Sequence, residues 1–353
     1  MAELPEYGKI GKDFFDRVIY PRLGAKREEV IIGPTPGVDN CVVKIGSSKV
    51  MVATTDPLSY IPELGPEDSA WLSVNLIASD LSTSGFRPQY MILDLNLPPS
   101  MPSSTFEAYW NALSKECEMQ GVAIIGGHTG RFKGLDSTVI GGGVMFSIGS
   151  SRTYLTSSGG KVGDKIILTK GAAIATTGIL ARVFPRSVRE RLGEDGLLRA
   201  SQYFHKISTV KDALTAVKVG VRSAGVTAMH DSTEGGVLSA IHELASASSL
   251  GAYVYKKQML LSSEAREVCD LFGIDPYISL GEGALALSCV PEKASEITAT
   301  LGASGIGASV VGELKEKSDG TLILEDGRRN PIGYPVVDPY WAAYYTAKEK
   351  GWN

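Results

Sequence analysis

Apolar positions along this chain repeat with two periods, and the switches between them mark its elements. From residue 13 to residue 24, Phe14, Phe15, Val18 and Ile19 recur at helical spacing, and Pro21 limits the helix. Cys41–Ile45 and Lys49–Thr54 alternate as strands around a Gly-Ser-Ser turn, and the second is expected to end at Asp56-Pro57. Glu67–Ser84 predicts a helix stopped at Gly85, Gln89–Leu97 a strand, and Ser103–Gln120 a helix stopped at Gly121. Val122–Ile125 predicts a short strand running into GGHTG, and Thr138–Ile148 a strand interrupted by Gly141, Gly142 and Gly143.

The pattern breaks at TSSGGKVGD, where a domain boundary is expected. Beyond it, Lys165–Lys170 predicts a strand, Ala172–Val183 a helix and Gly196–Gly220 a longer helical region. VTAMHDSTEGG leads into a helix reaching Ala247, and short strands and helices then alternate to about Leu324. Hairpins mixed with helices, rather than strict strand–helix–strand repeats, predict α+β domains. The expected division is 1–157, 158–330 and a tail of 331–353. In that tail Asp338 can cap a helix with Pro339 at its first position. Tyr340, Trp341, Tyr344 and Tyr345 follow, an aromatic face that packs on protein or stacks on a ligand.

Composition narrows the class. The chain has 353 residues, 43% apolar and 21% charged, enough for two ordered cores. With a net charge of −4 and no run of Lys or Arg, a nucleic-acid binder is not expected. A bound polyanion would need local backbone N–H groups, a metal or a few cations. No basic segment leads into an apolar run at the start, and no stretch reaches about 18 apolar residues, so a cytoplasmic protein without a membrane span is expected. Cys41, Cys117, Cys269 and Cys289 are widely spaced and form no CxxC pair, which reads as free thiols rather than a zinc site.

Candidate chemistry lies where elements stop. Asp39, Asp56, Asp80 and Asp231 each sit at such a point, and hard carboxylate oxygens suit Mg2+ if the fold gathers them. Each alone also fits a turn or a helix cap. Gly126-Gly127 and Gly235-Gly236 can bring backbone N–H groups to a phosphate, the second pair at a helix start; simple turn geometry is the other reading. His128 and His230 flank these motifs and are candidate acid–base or phosphate-binding groups, or structural histidines. Lys170, at a strand end, can reach a phosphate or cap the next helix. GxxxxGK[ST] and GxSxG are both absent, which excludes a P-loop and a nucleophile elbow.

Taken together and in order, GPTPGVDNCVV, VATTDPLSY, ASDLSTSGFRPQYMILDLNLP, VAIIGGHTG, GGKVGDKIILTKGAAI and MHDSTEGGVLSAIHELA resemble one superfamily. It contains aminoimidazole ribonucleotide (AIR) synthetase, thiamine-monophosphate kinase, selenophosphate synthetase and HypE, and the match runs from about Gly8 to about Glu313. FFDRVIYPRLGAKREEVIIGP and ILTKGAAIATTGILA look most like HypE and its archaeal relatives.

The resemblance implies a two-domain α+β subunit whose N-terminal domains pair into a homodimer, with ATP in a cleft near that interface. It implies Mg2+ on Asp39, Asp56, Asp80 and Asp231. It implies nucleotide contacts at Gly37, Asp39, Gly126, Gly127, Thr129, Lys170, Gly235 and Gly236. It implies catalytic roles for Asp231, His128 and His230 in ATP-dependent phosphorylation of an acceptor.

Three departures qualify this. Val38 and Gly130 stand where relatives often carry acids, so fewer or weaker Mg2+ sites are expected. The sequence ends EKGWN instead of in the HypE Pro-Arg-x-Cys tail, so carbamoyl-to-cyanide dehydration is not expected. Two readings follow: a HypE-like phosphotransferase or ATPase, with AIR synthetase and thiamine-monophosphate kinase as other enzymes of the group, or a non-catalytic nucleotide-binding dimer acting as sensor or assembly partner.

Overall fold

A computed structural model describes residues 9–135, 138–332 and 337–353. Its strands are β1 (Val30–Ile32), β2 (Cys41–Lys44), β3 (Lys49–Ser59), β4 (Tyr90–Leu97), β5 (Ala123–Arg131), β6 (Val139–Ser150), β7 (Lys165–Thr169), β8 (Val226–Asp231), β9 (Gly251–Tyr255), β10 (Leu285–Cys289), β11 (Ala308–Lys315), β12 (Thr321–Glu325) and β13 (Arg328–Pro331). Its helices are α1 (Lys12–Phe14), α2 (Gly65–Ser82), α3 (Ser103–Gln120), α4 (Ile174–Val183), α5 (Pro185–Ser201), α6 (Val210–Ala216), α7 (Gly236–Ala247), α8 (Ser263–Phe272), α9 (Ala294–Ala303) and α10 (Pro339–Glu349).

The result is an α+β architecture in two halves. The first holds a six-stranded sheet ordered β1-β2-β3-β6-β4-β5, the second a seven-stranded sheet ordered β13-β12-β9-β11-β7-β10-β8. In the second sheet Ile166, Ile167 and Leu168 of β7 are all buried. Ile166 and Leu168 join the apolar cluster containing Val237, Ile241 and Leu244 of α7. Ile167 joins Ala213 and Ala216 of α6 with Ile297 and Leu301 of α9. A strand covered on both faces reads as a continuous apolar run, as IILT does.

Helix α2 explains how the halves meet. Ala70, Val74, Ile77, Ala78 and Leu81 pack into the core of the first sheet, while Leu72 joins the core of α4, α5, α8 and α10. A helix apolar on more than one face must be buried on more than one face. Polar groups pin it. Ser69 Oγ and Ser73 Oγ accept from Ile61 N–H (2.9 Å) and Ser59 N–H (3.0 Å), and Thr209 N–H of the second half donates to Ser79 Oγ at 3.0 Å.

Several predicted elements differ in detail. The helix expected over residues 13–24 is broken into α1, a π-type turn and a 3-10 turn; none of its residues is buried, so no packing holds it regular. Strand β3 passes through Pro57 to Ser59. Pairing with β2 stops at Ala53, so the N–H that Pro57 lacks falls on an open edge. The strand expected over Val122–Ile125 runs on through GGHTG as β5, paired in parallel with β4 as far as Arg131. Helix α5 starts at Pro185, ahead of the helical region expected to begin at Gly196.

The tail forms α10, capped by Asp338, whose carboxylate accepts from Tyr340 N–H at 2.8 Å. Tyr340 and Tyr344 are buried, with Tyr344 edge-on to Phe184 at 5.6 Å between ring centres. Its aromatic face is therefore used within the chain.

Candidate functional site

Period-two alternation on β3 turns Val50, Val52, Thr54 and Asp56 toward α2. Asp80 lies in the last turn of α2, and Thr54 Oγ1 donates to Asp80 Oδ2 at 3.2 Å. Asn40 Nδ2 donates to the Asp80 carbonyl (2.8 Å) and to Thr83 Oγ1 (2.7 Å), which ties the loop carrying Asp39 to the same helix end. From the other half, the fully buried strand β8 delivers His230 and Asp231.

These groups meet across the interface. His230 Nδ1 lies 2.5 Å from Asp39 Oδ1, and His230 Nε2 lies 3.0 Å from Glu243 Oε2 on α7. The charge of Asp231 acts on Asp80 from across the interface. Asp56 joins through its charge, which acts on Asp80. The four aspartates, drawn from positions 39 to 231, thus face one space.

Electrostatics there are strained. Burial, then repulsion from Asp231, Asp56 and Asp39, raises Asp80 well above the usual carboxylate range. Burial and Asp39 push Asp231 up to about 7, although His230 opposes the shift. Burial lifts Asp56 to about 6. Burial works against a charged His230, but Asp39 and Glu243 overcome it and hold its pKa well above the ordinary value. Both ring nitrogens of His230 thus face carboxylates, which favour its protonated form.

The residues fit a hard divalent cation. Asp39 Oδ2 and Asp231 Oδ1 are buried without a hydrogen-bond partner. Ligand-capable atoms of Asp39, His230 and Asp231 lie within 4.8 Å of one another. With both ring nitrogens of His230 facing carboxylates, the oxygens of Asp39 and Asp231, with Asp80 and Asp56 acting on them, are the donors that suit Mg2+.

Other expected site residues lie elsewhere or have packing reasons. His128 is exposed on edge strand β5. It stands in register with Asp94, Gly142 and Pro57, three strand spacings or about 14 Å from the last. Thr129 and Gly126 share that edge strand, and a Cβ on Gly127 would collide with the Leu93 carbonyl. Gly37 (φ +75°) lets the loop close on α7, since a Cβ there would stand 3.1 Å from Glu243 Cβ. Lys170 is committed to structure. Its ammonium lies 3.1 Å from Asp212 Oδ2 and donates to the carbonyls of Lys206 (2.9 Å) and Ser208 (2.7 Å). At α7, the Gly235 N–H donates to Asp338 Oδ2 at 2.6 Å, so a carboxylate of the tail sits where a phosphate was expected. Gly236 (φ +66°) has no room for a Cβ, which would meet the carbonyls of Tyr277 and Ser279 at 2.7 and 2.8 Å.

Four further residues belong to the site and were not selected as site residues from the sequence. Glu243 holds His230. Glu282, in the turn before β10, is driven by burial well above the usual range, with Oε2 buried and unpartnered; Asp231 is among the groups acting on it. Lys9 donates from its backbone to Glu234 and from its ammonium to Thr233. Asp338, read only as a cap, also closes the start of α7. A lone acid in the apolar stretch SLGEGALAL was the one available signal for Glu282.

Residues 37–147 match the family described as AIR synthase related protein, N-terminal domain, and residues 161–325 match its C-terminal domain. The chain therefore belongs to the AIR-synthase-related superfamily. Within that superfamily it is similar to HypE proteins. It is 24% identical over 342 residues to a putative hydrogenase expression/formation protein of Methanocaldococcus jannaschii, covering 94% of this chain and 96% of that one. It shares its fold with the crystal structure of Escherichia coli HypE at a TM-score of 0.69 and 22% identity, over 82% of this chain and 87% of that one. It also matches a structure of HypE in complex with ATP, at a TM-score of 0.66 and 19% identity over 93% of each chain. Among the described residues no helix is long and apolar enough to cross a membrane.

Proposed function

We propose that this chain binds Mg-ATP at the acid cluster and acts as a HypE-like ATP-dependent phosphotransferase or ATPase on an unidentified acceptor. The observation that carries this reading is the meeting of Asp39, Asp56, Asp80 and Asp231 from two halves, with buried oxygens lacking partners. In this reading Asp39, Asp56, Asp80 and Asp231 hold Mg2+. Asp231, at the centre of the charge network, is the residue on which turnover depends. His230 fixes Asp39 from across the interface. Bound Mg2+ would supply the positive charge that a transferring phosphoryl group requires.

The HypE-related architecture with ATP in a related fold supports this assignment. Gly37, Gly126, Gly127 and Thr129 remain proposed nucleotide neighbours. A homodimer through the first sheet is part of the same reading. The outer face of that sheet exposes Ile92, Val144 and Ile148, and its edge strand exposes Ile125. The protein is proposed to work in the cytoplasm.

Carbamoyl-to-cyanide conversion on a cysteine of this chain is not part of the proposal. Burial pushes the thiols of Cys117, Cys269 and Cys289 up to about 12 and also raises Cys41, which disfavours the nucleophilic thiolate. Mass spectrometry after incubation with carbamoyl donor and ATP should find no thiocyanate on them.

The deciding experiment incubates the purified chain with Mg-ATP and candidate acceptors and follows ADP release. Turnover abolished by Asp231→Asn supports the phosphotransferase. Binding without turnover, unchanged by Asp231→Asn, makes the chain a non-catalytic nucleotide binder. Failure to bind Mg-ATP removes the proposal.

A further inference from the structure

We infer that a cavity between α8 and the segment after β9 is a second ligand site, separate from the acid cluster, that takes a small organic phosphate ester. This does not depend on the Mg-ATP reading above.

The cavity has a volume of about 350 Å3, a size that suits a small molecule. Lys256, Lys257 and Arg266 line it together with a single carboxylate, that of Glu325. Three cations against one acid is out of keeping with a chain of net charge −4. Met259 and Leu261 supply an apolar floor that belongs to the core packed on α7. Tyr277 lines the same space, with the Lys256 ammonium 5.1 Å from the centre of its ring. The Tyr277 carbonyl accepts from Leu238 N–H on α7 at 3.2 Å, so the cavity shares a wall with that helix. None of Asp39, Asp56, Asp80 and Asp231 lines it.

The cations are held loosely enough to serve a ligand. The Lys256 ammonium lies 3.0 Å from Glu325 Oε1, with side chains 29% and 41% exposed, and Asp275 also acts on it. Lys257 pairs with Asp326 at 2.9 Å, both well exposed. Ion pairs open to water hold weakly, and a ligand oxyanion can share or replace the carboxylate. Arg266 is exposed on α8 and has no carboxylate partner among the described residues. Its guanidinium fork matches two oxygens of one phosphate, and the resulting hydrogen bonds are charge-assisted. Several cations around one opening favour a dianion over a monoanion, which selects a phosphate monoester over a carboxylate. The apolar floor and the Tyr277 ring suit the organic part of such an ester, and the phenol can donate to its oxygens.

The test is calorimetric titration of the full chain with phenyl phosphate, inorganic phosphate and benzoate. Wild type is expected to bind phenyl phosphate at one site per chain with a Kd of about 1 mM or tighter, and both other probes more weakly. Arg266→Ala should weaken phenyl phosphate about tenfold or more, Arg266→Lys less, and Asp231→Asn not at all. If Arg266→Ala fails to fold, Lys256→Gln gives the same comparison. No phenyl phosphate binding at millimolar concentration overturns the proposal, as does binding that neither Arg266→Ala nor Lys256→Gln weakens. Loss of binding in Asp231→Asn would place the phosphate at the acid cluster instead, and benzoate binding as tightly as phenyl phosphate would remove the phosphate assignment.

Discussion

Asp80, in the last turn of α2, and Asp231, at the end of β8, bring two buried carboxyl groups to bear on each other across the two halves. Burial and the neighbouring acids favour their protonated forms. A divalent cation needs the carboxylate forms, so its binding must expel protons. With Asp231 raised to about 7 and Asp56 to about 6, Mg2+ affinity should climb about tenfold or more from about pH 6 to about pH 8. Calorimetry in buffers of different ionisation enthalpy counts the protons released. Affinity flat with pH, or falling, would contradict the assignment.

The same shifts set the stability of the metal-free protein. A carboxyl whose folded pKa exceeds its unfolded value stabilises fully below the unfolded value, about 3.9 for Asp. That contribution is lost as pH rises through the folded value. For Asp56 and Asp231 the window runs from about pH 4 to about pH 7. His230, also raised, loses its contribution in the same direction above about pH 6.5. The thermal midpoint should therefore fall from about pH 5 to about pH 8, and added Mg2+ should restore part of it. Asp231→Asn should raise the midpoint at the upper end while weakening Mg2+ binding.

Removing the His230 ring should be costly. His230→Ala leaves Asp39 and Glu243 in a buried site without the ring that lies between them. A loss of about 3–5 kcal/mol is expected, read as a lower denaturant midpoint at unchanged slope. A change under about 1 kcal/mol would mean that the pair is solvated and the site open.

Much of this was legible in the sequence, and the reasons are local. Asp39, Asp56, Asp80 and Asp231 stand out because each follows an element whose period can be read, and strand alternation fixes the side on which Asp56 falls. The role of Glu243 was not legible. It lies on an ordinary amphipathic helix, and only the packing of α7 beside β8 brings it to its partner His230. The strand expected over Val122–Ile125 was too short because the glycines of GGHTG interrupt the apolar run, yet Gly127 is needed where β5 passes close to the Leu93 carbonyl. Lys170 looked poised at a strand end. Only the fold shows Asp212 approaching it from α6.

The tail contact makes its own prediction. Asp338 is 2% exposed and accepts from the N–H groups of both Gly235 and Tyr340. Asp338→Ala should cost about 1–2 kcal/mol, as losing a helix cap does, while Asp338→Asn should cost less. Equal stability of all three proteins would show that the tail helix does not hold the start of α7.

Homodimerisation through the first sheet is tested by charge. Ile125→Glu on the exposed edge of β5 and Val144→Glu on the outer face should each convert a dimer to monomers in analytical ultracentrifugation. Wild type sedimenting as a monomer at micromolar concentration would remove the pairing from the proposal.

The seat of Asp338 on the Gly235 amide also sets an entrance condition for anything negatively charged. An incoming anion must evict a resident attached to the same molecule, whose local concentration is on the order of millimolar or above. Weak anions at lower concentrations would be turned away there. Only a ligand that gains most of its binding elsewhere could lift the tail from α7, and this would tie occupancy of that helix end to the position of α10.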